Sequence, residues 1–360
     1  MKVIVWGTGY FAKEYVERKS YHVGDEIIAF TDNDSNLWGK TFKEKTILAP
    51  EYLEQIKFDR LIICSAHFAE IIKQIREELC INAEIITYFE LEDQIKKQLI
   101  SKYADVQDDG IQKVLAYYRE HPLNIYGAFD QKGIETIYPV QYDADKMPYI
   151  LFEEKKMFFP KSYPFVCDNN LVCIKNILYE QGEHSPHLYI KDKNILKKDM
   201  VIVDAGVCEG NFALRYADYA KKIYLIECDP EWSEVLQRTF QPYKDKVVFC
   251  QKYLSDKDSE QSVTLDTLIQ EPIDILKMDI EGYEVRALKG AERVLRESSA
   301  YCAVCSYHKH QDERQIKALL QQYGYRVETS EGFMFFPYDD CLEFRKGVVY
   351  GRKNQANGEY

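Results

Sequence analysis

The sequence predicts an α/β protein with two doubly wound, Rossmann-like sheets, a smaller one at the amino terminus and a larger one in the carboxy-terminal half. Short apolar runs alternate with amphipathic helices from residue 1 to about residue 95, and the alternation returns between residues 196 and 353. In each half an apolar run also leads directly into a glycine-containing turn, which is typical of the first strand of a βαβ unit. These observations together indicate mainly parallel sheets covered by helices.

The length and charge of the chain exclude some classes of function. The chain has 360 residues, enough for two domains with full cores, and a formal net charge of −12. An acidic protein without basic clusters is a poor partner for nucleic acid, because phosphate binding needs concentrated Lys and Arg. No apolar run approaches the roughly 18 residues that a membrane span requires. We therefore expect a cytoplasmic protein with neither nucleic acid nor membrane as partner.

The pattern predicts five segments. Residues 1–95 form the amino-terminal domain, and residues 96–124 form a charged helical linker. Residues 125–195 are an aromatic-rich lead-in, residues 196–353 form the larger domain, and residues 354–360 form a flexible tail. The oligomeric state is left open, a homo-oligomer included.

The amino-terminal domain is predicted from β-branched runs separated by helical spacing. The runs predict strands at Lys2–Trp6, Ile27–Thr31, Arg60–Cys64 and Glu84–Thr87. Helices are predicted to begin near Tyr10, Pro50 and His67.

The first turn of this domain, from Gly7 to Ala12, has the G-x-G-x-x-A form that can hold a phosphate at a helix N-terminus. Asp32 ends the second strand, where a ribose-binding acid would sit. Gly7, Gly9 and Asp32 are thus candidate residues for a nucleotide or nucleotide-sugar. An equally simple interpretation is that the glycines permit a tight strand-to-helix crossing and that Asp32 belongs to a turn.

The lead-in segment is unusually rich in aromatic side chains. We expect most of them to support the larger sheet and a few to line an acceptor pocket, because sugar faces and acyl chains pack on aromatic rings. They are Tyr126, Phe129, Tyr138, Tyr142, Tyr149, Phe152, Phe158, Phe159, Tyr163 and Phe165.

The most informative stretch opens the larger domain. The apolar run from Val201 enters an acidic turn, D-x-G-x-x-x-G, formed by residues 204–210, and the next apolar run ends in Glu227. Glycines let a ligand approach the backbone, and an acid at the end of the second strand can accept from two ribose hydroxyls. The turn lacks the closely paired glycines that a pyrophosphate requires. S-adenosylmethionine therefore fits better than a dinucleotide.

Several separated segments carry a family resemblance. They are residues 185–189 (SPHLY), the turn of residues 204–210, residues 263–268 (VTLDTL), residues 274–284 (DILKMDIEGYE), residues 288–291 (LKGA) and residues 307–309 (YHK). In this order, from about Tyr126 to Lys353, they resemble an FkbM-type S-adenosylmethionine-dependent methyltransferase. The resemblance implies a class I methyltransferase fold, S-adenosylmethionine as cofactor and methyl transfer as the reaction.

Roles for the cofactor-binding residues follow from that fold. Asp204 would lie near the methionine ammonium through the turn, and Gly206 and Gly210 would clear space for the ligand. Glu227 would accept from the ribose. Ser255 and Asp256 follow the apolar run of residues 247–254, where this fold holds the adenine edge, although Asp256 could equally be part of a turn.

The candidate catalytic residues are Asp279, Glu281 and His308. The two acids follow the strand of residues 273–278, and His308 follows the strand of residues 300–307. The acids could act as a general base, bind a divalent ion or clamp a loop. The metal is left open, because a pair of carboxylates suits Mg²⁺ but no third carboxylate is evident. His308 is favoured as the base that takes a hydroxyl proton, since imidazole titrates near neutral pH.

The sequence therefore predicts a methyltransferase of polysaccharide or natural-product biosynthesis. Its acceptor is expected to be a small molecule or carbohydrate: a sugar, a polysaccharide precursor or a secondary metabolite, methylated on oxygen, with the amino-terminal domain helping to bind it. N-methylation stays open. The alternatives are a bifunctional protein whose first domain uses NAD(H) or a nucleotide-sugar, and a non-catalytic sensor of S-adenosylmethionine.

Overall fold

The computed structural model describes residues 1–79, 81–129, 138–163 and 178–353. The chain divides into two compact units, one formed by Met1–Ile125 with Phe335–Glu343 and the other by Tyr126–Met334 with Phe344–Tyr360. The predicted α/β class with parallel sheets is confirmed. The predicted tail and Phe165 lie outside the described residues.

The first unit is built on a sheet of six described strands in the order β3-β4-β2-β1-β5-β6. All neighbours pair in parallel except β3 and β4. Apolar residues fill β1, which is buried after its first residue, as expected for a central strand with helices on both faces. The strands are β1 (Lys2–Trp6), β2 (Glu26–Thr31), β3 (Thr41–Phe42), β4 (Lys45–Leu48), β5 (Arg60–Ile63) and β6 (Glu84–Thr87).

Four α-helices of the described residues accompany this sheet. The helix predicted near Pro50 is instead a 3₁₀ turn over Pro50–Gln55, and further 3₁₀ turns cover Lys19–Tyr21 and Ser35–Leu37. The α-helices are α1 (Tyr10–Glu17), α2 (Phe68–Glu77), α3 (Tyr88–Tyr103) and α4 (Asp109–Glu120).

The predicted linker of residues 96–124 belongs to the first unit. Helix α3 begins at a capping box of Thr87 and Glu90 and continues across the expected boundary at residue 95. Leu99 on α3 and Leu115 on α4 are fully buried. Burying these side chains favours packing over a free linker, so α3 and α4 pack within the first unit.

The second unit contains a sheet of seven described strands in the order β12-β11-β10-β15-β16-β20-β17. All are parallel except β20, which is antiparallel to both of its neighbours. The strands are β10 (Met200–Ala205), β11 (Ala220–Ile226), β12 (Val247–Cys250), β15 (Ile275–Met278), β16 (Tyr301–Cys305), β17 (Arg326–Thr329) and β20 (Val348–Arg352).

Short strands and helices complete this unit. The short strands are β7 (Gln141–Tyr142), β8 (Pro148–Phe152), β9 (Lys155–Phe158), β13 (Tyr253–Leu254), β14 (Ser262–Val263), β18 (Met334–Phe335) and β19 (Phe344–Arg345). The helices are α5 (Asn211–Tyr216), α6 (Pro230–Thr239), α7 (Leu265–Leu268), α8 (Glu284–Lys289), α9 (Glu292–Glu297) and α10 (Asp312–Gln322), and 3₁₀ turns cover Lys193–Ile195, Ala217–Tyr219 and Gln241–Lys246.

The order of the sheet reverses at β10. From β10 the chain moves outward through β11 and β12, then returns to place β15 on the other side of β10. Such a reversal leaves a crevice beyond the carboxyl ends of the two central strands, where open α/β sheets bind ligands. The fully buried strand β10 thus positions the turn of residues 204–210 at the crevice.

One predicted strand, residues 247–254, is divided in the structure. Strand β12 ends at Cys250, and the chain resumes as β13, which pairs with β14 in a separate small sheet. This break determines which side chains after β12 reach the crevice.

The lead-in aromatics have the expected structural role at the β8–β9 hairpin. Tyr149 and Phe158 are buried with Met147 against Val235 of α6, and Trp232 packs on the same cluster. Among the described residues, no helix combines the length and apolar character needed to cross a membrane.

Candidate active site

A cavity of about 470 Å³ lies at the carboxyl ends of the central strands in the second unit. One side is formed by residues that follow β10 and β11 and by β13, and the other by the lead-in and by residues of β15 or following β15 and β16. Its lining residues include Glu180, His187, Tyr189, Gly206, Cys208, Glu209, Glu227, Trp232, Tyr253, Leu254, Lys277, Asp279, Glu281, Tyr283 and Tyr307.

The glycine turn is shaped by two positive backbone angles. Gly206 has φ +75°, and a Cβ there would lie 1.6 Å from the carbonyl oxygen of Asp279, so only glycine lets the two loops meet. Gly210, with φ +79°, begins α5, and its Cβ would press on Phe240 and Leu236. Gly206 lines the cavity, whereas Gly210 lies behind the wall.

Asp204 is fully buried and supports the turn from beneath. Its Oδ1 lies 3.1 Å from Nζ of Lys277, and its Oδ2 accepts a hydrogen bond from the Ala213 N–H at 3.2 Å. Burial raises the pKa of Asp204, and the Lys277 ammonium opposes that rise. Asp204 does not line the cavity, so any effect on a ligand has to pass through the turn.

Lys277 escaped the sequence analysis, although a lysine inside the apolar strand β15 was a usable signal. Its ammonium donates to the carbonyl oxygens of Gly206 and, at 3.4 Å, of Ala205, in addition to pairing with Asp204. A buried ammonium needs such partners to offset its lost hydration. Lys277 thereby fixes the first carbonyls of the glycine turn.

Glu227 lies at the end of β11 and lines the cavity. Its Oε2 accepts from the Cys208 N–H at 3.0 Å, and its Oε1 accepts from the Asp229 N–H at 2.9 Å. A carboxylate oxygen has two lone pairs, so each oxygen keeps one for a ligand hydroxyl. The carboxylate is therefore oriented by the protein before a ligand arrives.

Ser255 and Asp256 do not line the cavity, which departs from the expected adenine contact. Ser255 is buried, and its hydroxyl donates to Asp256 at 3.2 Å, while Asp256 pairs with Arg286 at 3.0 Å. The cause is the break after β12. It turns Tyr253 and Leu254 towards the cavity instead.

Asp279 is the centre of a polar cluster on the opposite side. The Tyr189 hydroxyl donates to its Oδ2 at 2.7 Å and the Tyr307 hydroxyl to its Oδ1 at 3.3 Å. Burial alone would raise the pKa of Asp279, but the adjacent His187 and His308 imidazoles hold it far below its usual range. The group stays an anion at every physiological pH.

His187 is the imidazole that lines the cavity, and the sequence analysis did not single it out. Its Nε2 lies 3.3 Å from Oδ2 of Asp279, and its Nδ1 lies 3.5 Å from Oε1 of Glu180. Burial works against a charged ring, yet Glu180 and Asp279 raise the pKa of His187 to about 10. The signal available in the sequence was that His187 belongs to the SPHLY segment of residues 185–189.

His308 lies behind the cavity wall and is only 4% exposed. Its Nδ1 lies 3.1 Å from Oε1 of Glu284, and its Nε2 lies 3.4 Å from Oδ1 of Asp279. Burial opposes the charge, but Glu284, Asp279 and Glu281 raise the pKa of His308 to about 9. An imidazole with a carboxylate at each nitrogen is stabilised as imidazolium, which does not suit the expected proton acceptor.

The third carboxylate that the sequence did not reveal is Glu284. Ligand atoms of Asp279, Glu284 and His308 lie within 4.8 Å of one another, close enough to suggest a metal site. However, Glu284 accepts from the Ile280 N–H at 2.8 Å, and His308 lies between Asp279 and Glu284 with one carboxylate near each ring nitrogen. One imidazolium offsets only one of the two carboxylate charges, so the metal stays open at this site.

Glu281 has a side chain that is 85% exposed, and its Oε2 lies 3.6 Å from Nε2 of His308. The backbone there adopts φ +54°, rare for a residue with a side chain, and it directs Glu281 to the cavity rim. Asp279 and Glu281 thus approach the same imidazole, as expected for two acids that converge on one point.

The predicted amino-terminal site can be described within the first unit. Gly7 has φ +108°, and its Cβ would lie 2.6 Å from the Cys64 carbonyl oxygen, which agrees with the tight-crossing interpretation. The Thr8 hydroxyl donates to Asp32 at 2.9 Å, so Asp32 also has a local role. A Cβ added to Gly9, which precedes α1, would have no atom within 4 Å beyond those of Gly9 itself and its chain neighbours. A ligand for this turn stays a prediction.

Comparison with known families adds two matches. Residues 251–327 match the family model described as the methyltransferase FkbM domain, and residues 1–87 match the one described as C2185-like, N-terminal. No curated protein matches the chain.

Solved structures give distant likenesses. Methyltransferase FkbM from Methylobacillus flagellatus KT is 15% identical with a TM-score of 0.46, over 97% of this chain and 89% of that one. Magnesium protoporphyrin IX methyltransferase from Synechocystis PCC 6803 is 12% identical with a TM-score of 0.34, over 53% and 85%. Precorrin-6y C5,15-methyltransferase from Geobacter metallireducens GS-15 is 14% identical with a TM-score of 0.33, over 45% and 84%.

The FkbM match covers a substantial part of the cavity, from Lys252 on one side to Asp279 and Tyr307 on the other. The match includes β15, one of the two central strands at the crevice, and it begins after β10 and β11. Residues 251–327 match the FkbM methyltransferase domain, and the chain is a methyltransferase.

Proposed function

We propose that this methyltransferase uses S-adenosylmethionine to methylate a hydroxyl group of a sugar, a polysaccharide precursor or a secondary metabolite. The observation that carries the proposal is that Glu227 and Asp279 line one cavity at the reversal of the sheet. Bound S-adenosylmethionine would supply a methyl group on a sulfonium, ready for displacement. One side of the cavity suits that ligand, and the other side suits its acceptor.

The cofactor would be held by the side formed by β10, β11 and β13. Glu227, already oriented by two backbone donors, has free lone pairs for ribose hydroxyls. Tyr253 and Leu254 offer an apolar surface suited to an adenine ring, which replaces the role expected of Ser255 and Asp256. The Gly206 turn, whose first carbonyl oxygens are fixed by Lys277, would hold the methionine end of the ligand.

The acceptor would be bound on the side of Asp279 and His187. The cavity carboxylates, Glu180, Glu209, Glu227, Asp229, Asp279 and Glu281, outnumber its cationic side chains, Lys252, Lys277 and His187. An anionic group would be repelled inside the cavity, whereas a neutral sugar ring with several hydroxyl groups would find hydrogen-bond acceptors there. Exposed aromatic faces such as that of Tyr283 suit the apolar face of a sugar ring.

Catalysis in this arrangement depends on positioning. Asp279 is held by Tyr189 and Tyr307 and is permanently charged, so it can orient a hydroxyl without taking its proton. His308 would act through Asp279 and not on the acceptor directly. The amino-terminal domain would help to bind the acceptor, with the turn at Gly9 as the place for a nucleotide-sugar.

Thermal stability with added ligands tests the proposal. S-adenosylmethionine and S-adenosylhomocysteine should each stabilise the protein by about 2.7 kcal/mol at roughly 100 times their Kd. Methyl transfer from labelled S-adenosylmethionine to a panel of methyl hexopyranosides and nucleoside diphosphate hexoses would then identify the acceptor class. Protection by NAD would favour the bifunctional alternative, and binding of S-adenosylmethionine without transfer to any hydroxyl or amine would favour a sensor.

A further inference from the structure

The carboxylates around the cavity differ in how well they are compensated. Glu180 faces His187 and accepts from the Tyr126 hydroxyl at 2.5 Å. Asp279 lies between two imidazoles. Each of these acids therefore has a histidine beside it.

The remaining lining acids are also engaged, with one exception. Glu227 accepts two backbone N–H groups, Asp229 accepts the Glu231 N–H at 2.9 Å, and Glu281 approaches His308. Glu209 alone makes no ion pair and accepts no hydrogen bond from another residue in the part of the chain that the structure describes. It is the cavity carboxylate whose oxygens are left for a ligand or a proton.

The surroundings of Glu209 favour the protonated form of its carboxyl group more than water does. The side chain is partly buried in the glycine turn, between Gly206 and Gly210. Burial raises the pKa of Glu209 to about 7, with the charges of Glu180 and Glu227 acting in the same direction and Lys277 against it. A carboxylate with this pKa can both accept and release a proton near neutral pH.

Three other titratable groups of the site, His187, His308 and Asp279, do not suit this role. His187 and His308 each face carboxylates at both nitrogens and are already protonated at neutral pH. Asp279 is too acidic to keep a proton. Glu209 differs from all three, because it lines the cavity without an ion-pair partner among the described residues.

We propose that Glu209 is the general base that removes the proton of the acceptor hydroxyl, an assignment that rests on the proposed function. The acceptor O–H bond breaks and its proton passes to the Glu209 carboxylate, while an oxygen electron pair forms the new O–CH₃ bond. The electron pair of the broken S–CH₃ bond stays on sulfur, which becomes a neutral thioether. The carboxylic acid then returns its proton to water.

Calorimetry with two ligands tests the assignment without an acceptor. S-adenosylmethionine carries a sulfonium charge that S-adenosylhomocysteine lacks, and a cation near Glu209 lowers the pKa of its carboxyl group. At pH 7, binding of S-adenosylmethionine should release up to about half a proton from a group of pKa about 7, measured from the heats in two buffers of different ionisation enthalpy. S-adenosylhomocysteine should release much less.

Glu209→Gln should abolish the difference in proton release between the two ligands, while Glu183→Gln, at an exposed position, should leave it unchanged. Equal proton release by Glu209→Gln and wild type would overturn the proposal. So would a tenfold loss of affinity for both ligands in Glu209→Gln, because that result would assign Glu209 to the ammonium group that both ligands share.

Turnover provides the second readout. With an acceptor from the hexoside and nucleoside diphosphate hexose panel, Glu209→Gln should lower kcat by ~10²–10⁴ with little change in KM for S-adenosylmethionine. The ionisation near pH 7 should vanish from its kcat/KM profile. A near-normal kcat in Glu209→Gln would overturn the assignment and leave the proposed function intact, whereas no binding of either ligand to wild type would overturn the proposed function itself.

Discussion

His187 Nε2 lies 3.3 Å from Oδ2 of Asp279, joining the lead-in segment to the carboxyl end of β15 at the cavity. The imidazole also faces Glu180, so the ring lies between two carboxyl groups next to the proposed acceptor region. This contact places an imidazolium, and not a neutral histidine, at the site. The chemistry expected of histidine thereby changes from proton acceptance to charge compensation and hydrogen-bond donation.

Asp279→Asn should disorder this cluster. The substitution keeps the shape but removes the charge that stabilises both imidazolium ions, so the pKa of His187 and of His308 should fall from about 10 and about 9. Histidine titration by NMR would show the shift, and kcat should fall by ~10² or more. Asp256→Asn, outside the cavity, is the matched control. Unchanged histidine titration would contradict the cluster as described.

Glu227→Ala should weaken binding of S-adenosylmethionine by ~1.5–3 kcal/mol, because the substitution removes a charge-assisted hydrogen-bond acceptor. It also frees the Cys208 and Asp229 N–H groups that now order the turns. Isothermal calorimetry measures the loss, with exposed Glu260→Ala as control. Equal affinities of Glu227→Ala and wild type would remove Glu227 from the cofactor site.

The pair of His308 and Glu284 should make stability depend on pH. The folded-state pKa of His308 is raised from 6.5 to about 9, so its stabilisation is complete below pH 6.5 and disappears as the pH rises through about 9. His308→Gln should cost about 3 kcal/mol of unfolding free energy at pH 6, because it leaves Glu284 buried without its cation.

Urea unfolding of His308→Gln between pH 6 and 10 measures that difference, which should shrink at alkaline pH. His184→Gln, at an exposed histidine, is the control. Turnover of the wild type should persist in EDTA, since His308 already lies between Asp279 and Glu284 and supplies a positive charge there. Loss of activity in EDTA with recovery in Mg²⁺ would instead assign Asp279, Glu284 and His308 to an ion.

The amino-terminal turn offers a matched pair of substitutions. Gly7→Ala should destabilise the protein, because the new Cβ meets the Cys64 carbonyl oxygen and φ is +108°. Gly9→Val has open space and should leave thermal stability largely unchanged. If this turn binds a nucleotide-sugar, Gly9→Val alone should abolish that binding and leave affinity for S-adenosylmethionine intact. Failure of every nucleotide and nucleotide-sugar to protect the wild type would leave the glycines with a packing role only.

The sequence by itself determined what depends on neighbours along the chain. Apolar runs such as residues 201–203 predicted buried strands, since a parallel strand covered on both faces must be apolar throughout. Gly206 and Glu227 were found because turn conformation and strand-end position are local properties. The same locality made Asp279, Glu281 and His308 recognisable as residues that follow strands.

Only the tertiary structure decided which of these residues meet and in which charge state. Tyr189 reaches Asp279 across 90 residues of chain, a contact that no local pattern encodes. Burial between carboxylates made His308 a cation, and the break after β12 removed Ser255 from the cavity. A proton's affinity for a side chain depends on its hydration and on every charge nearby, and both are set by packing. Glu209, unremarkable in sequence, became the uncompensated carboxylate of the cavity for that reason.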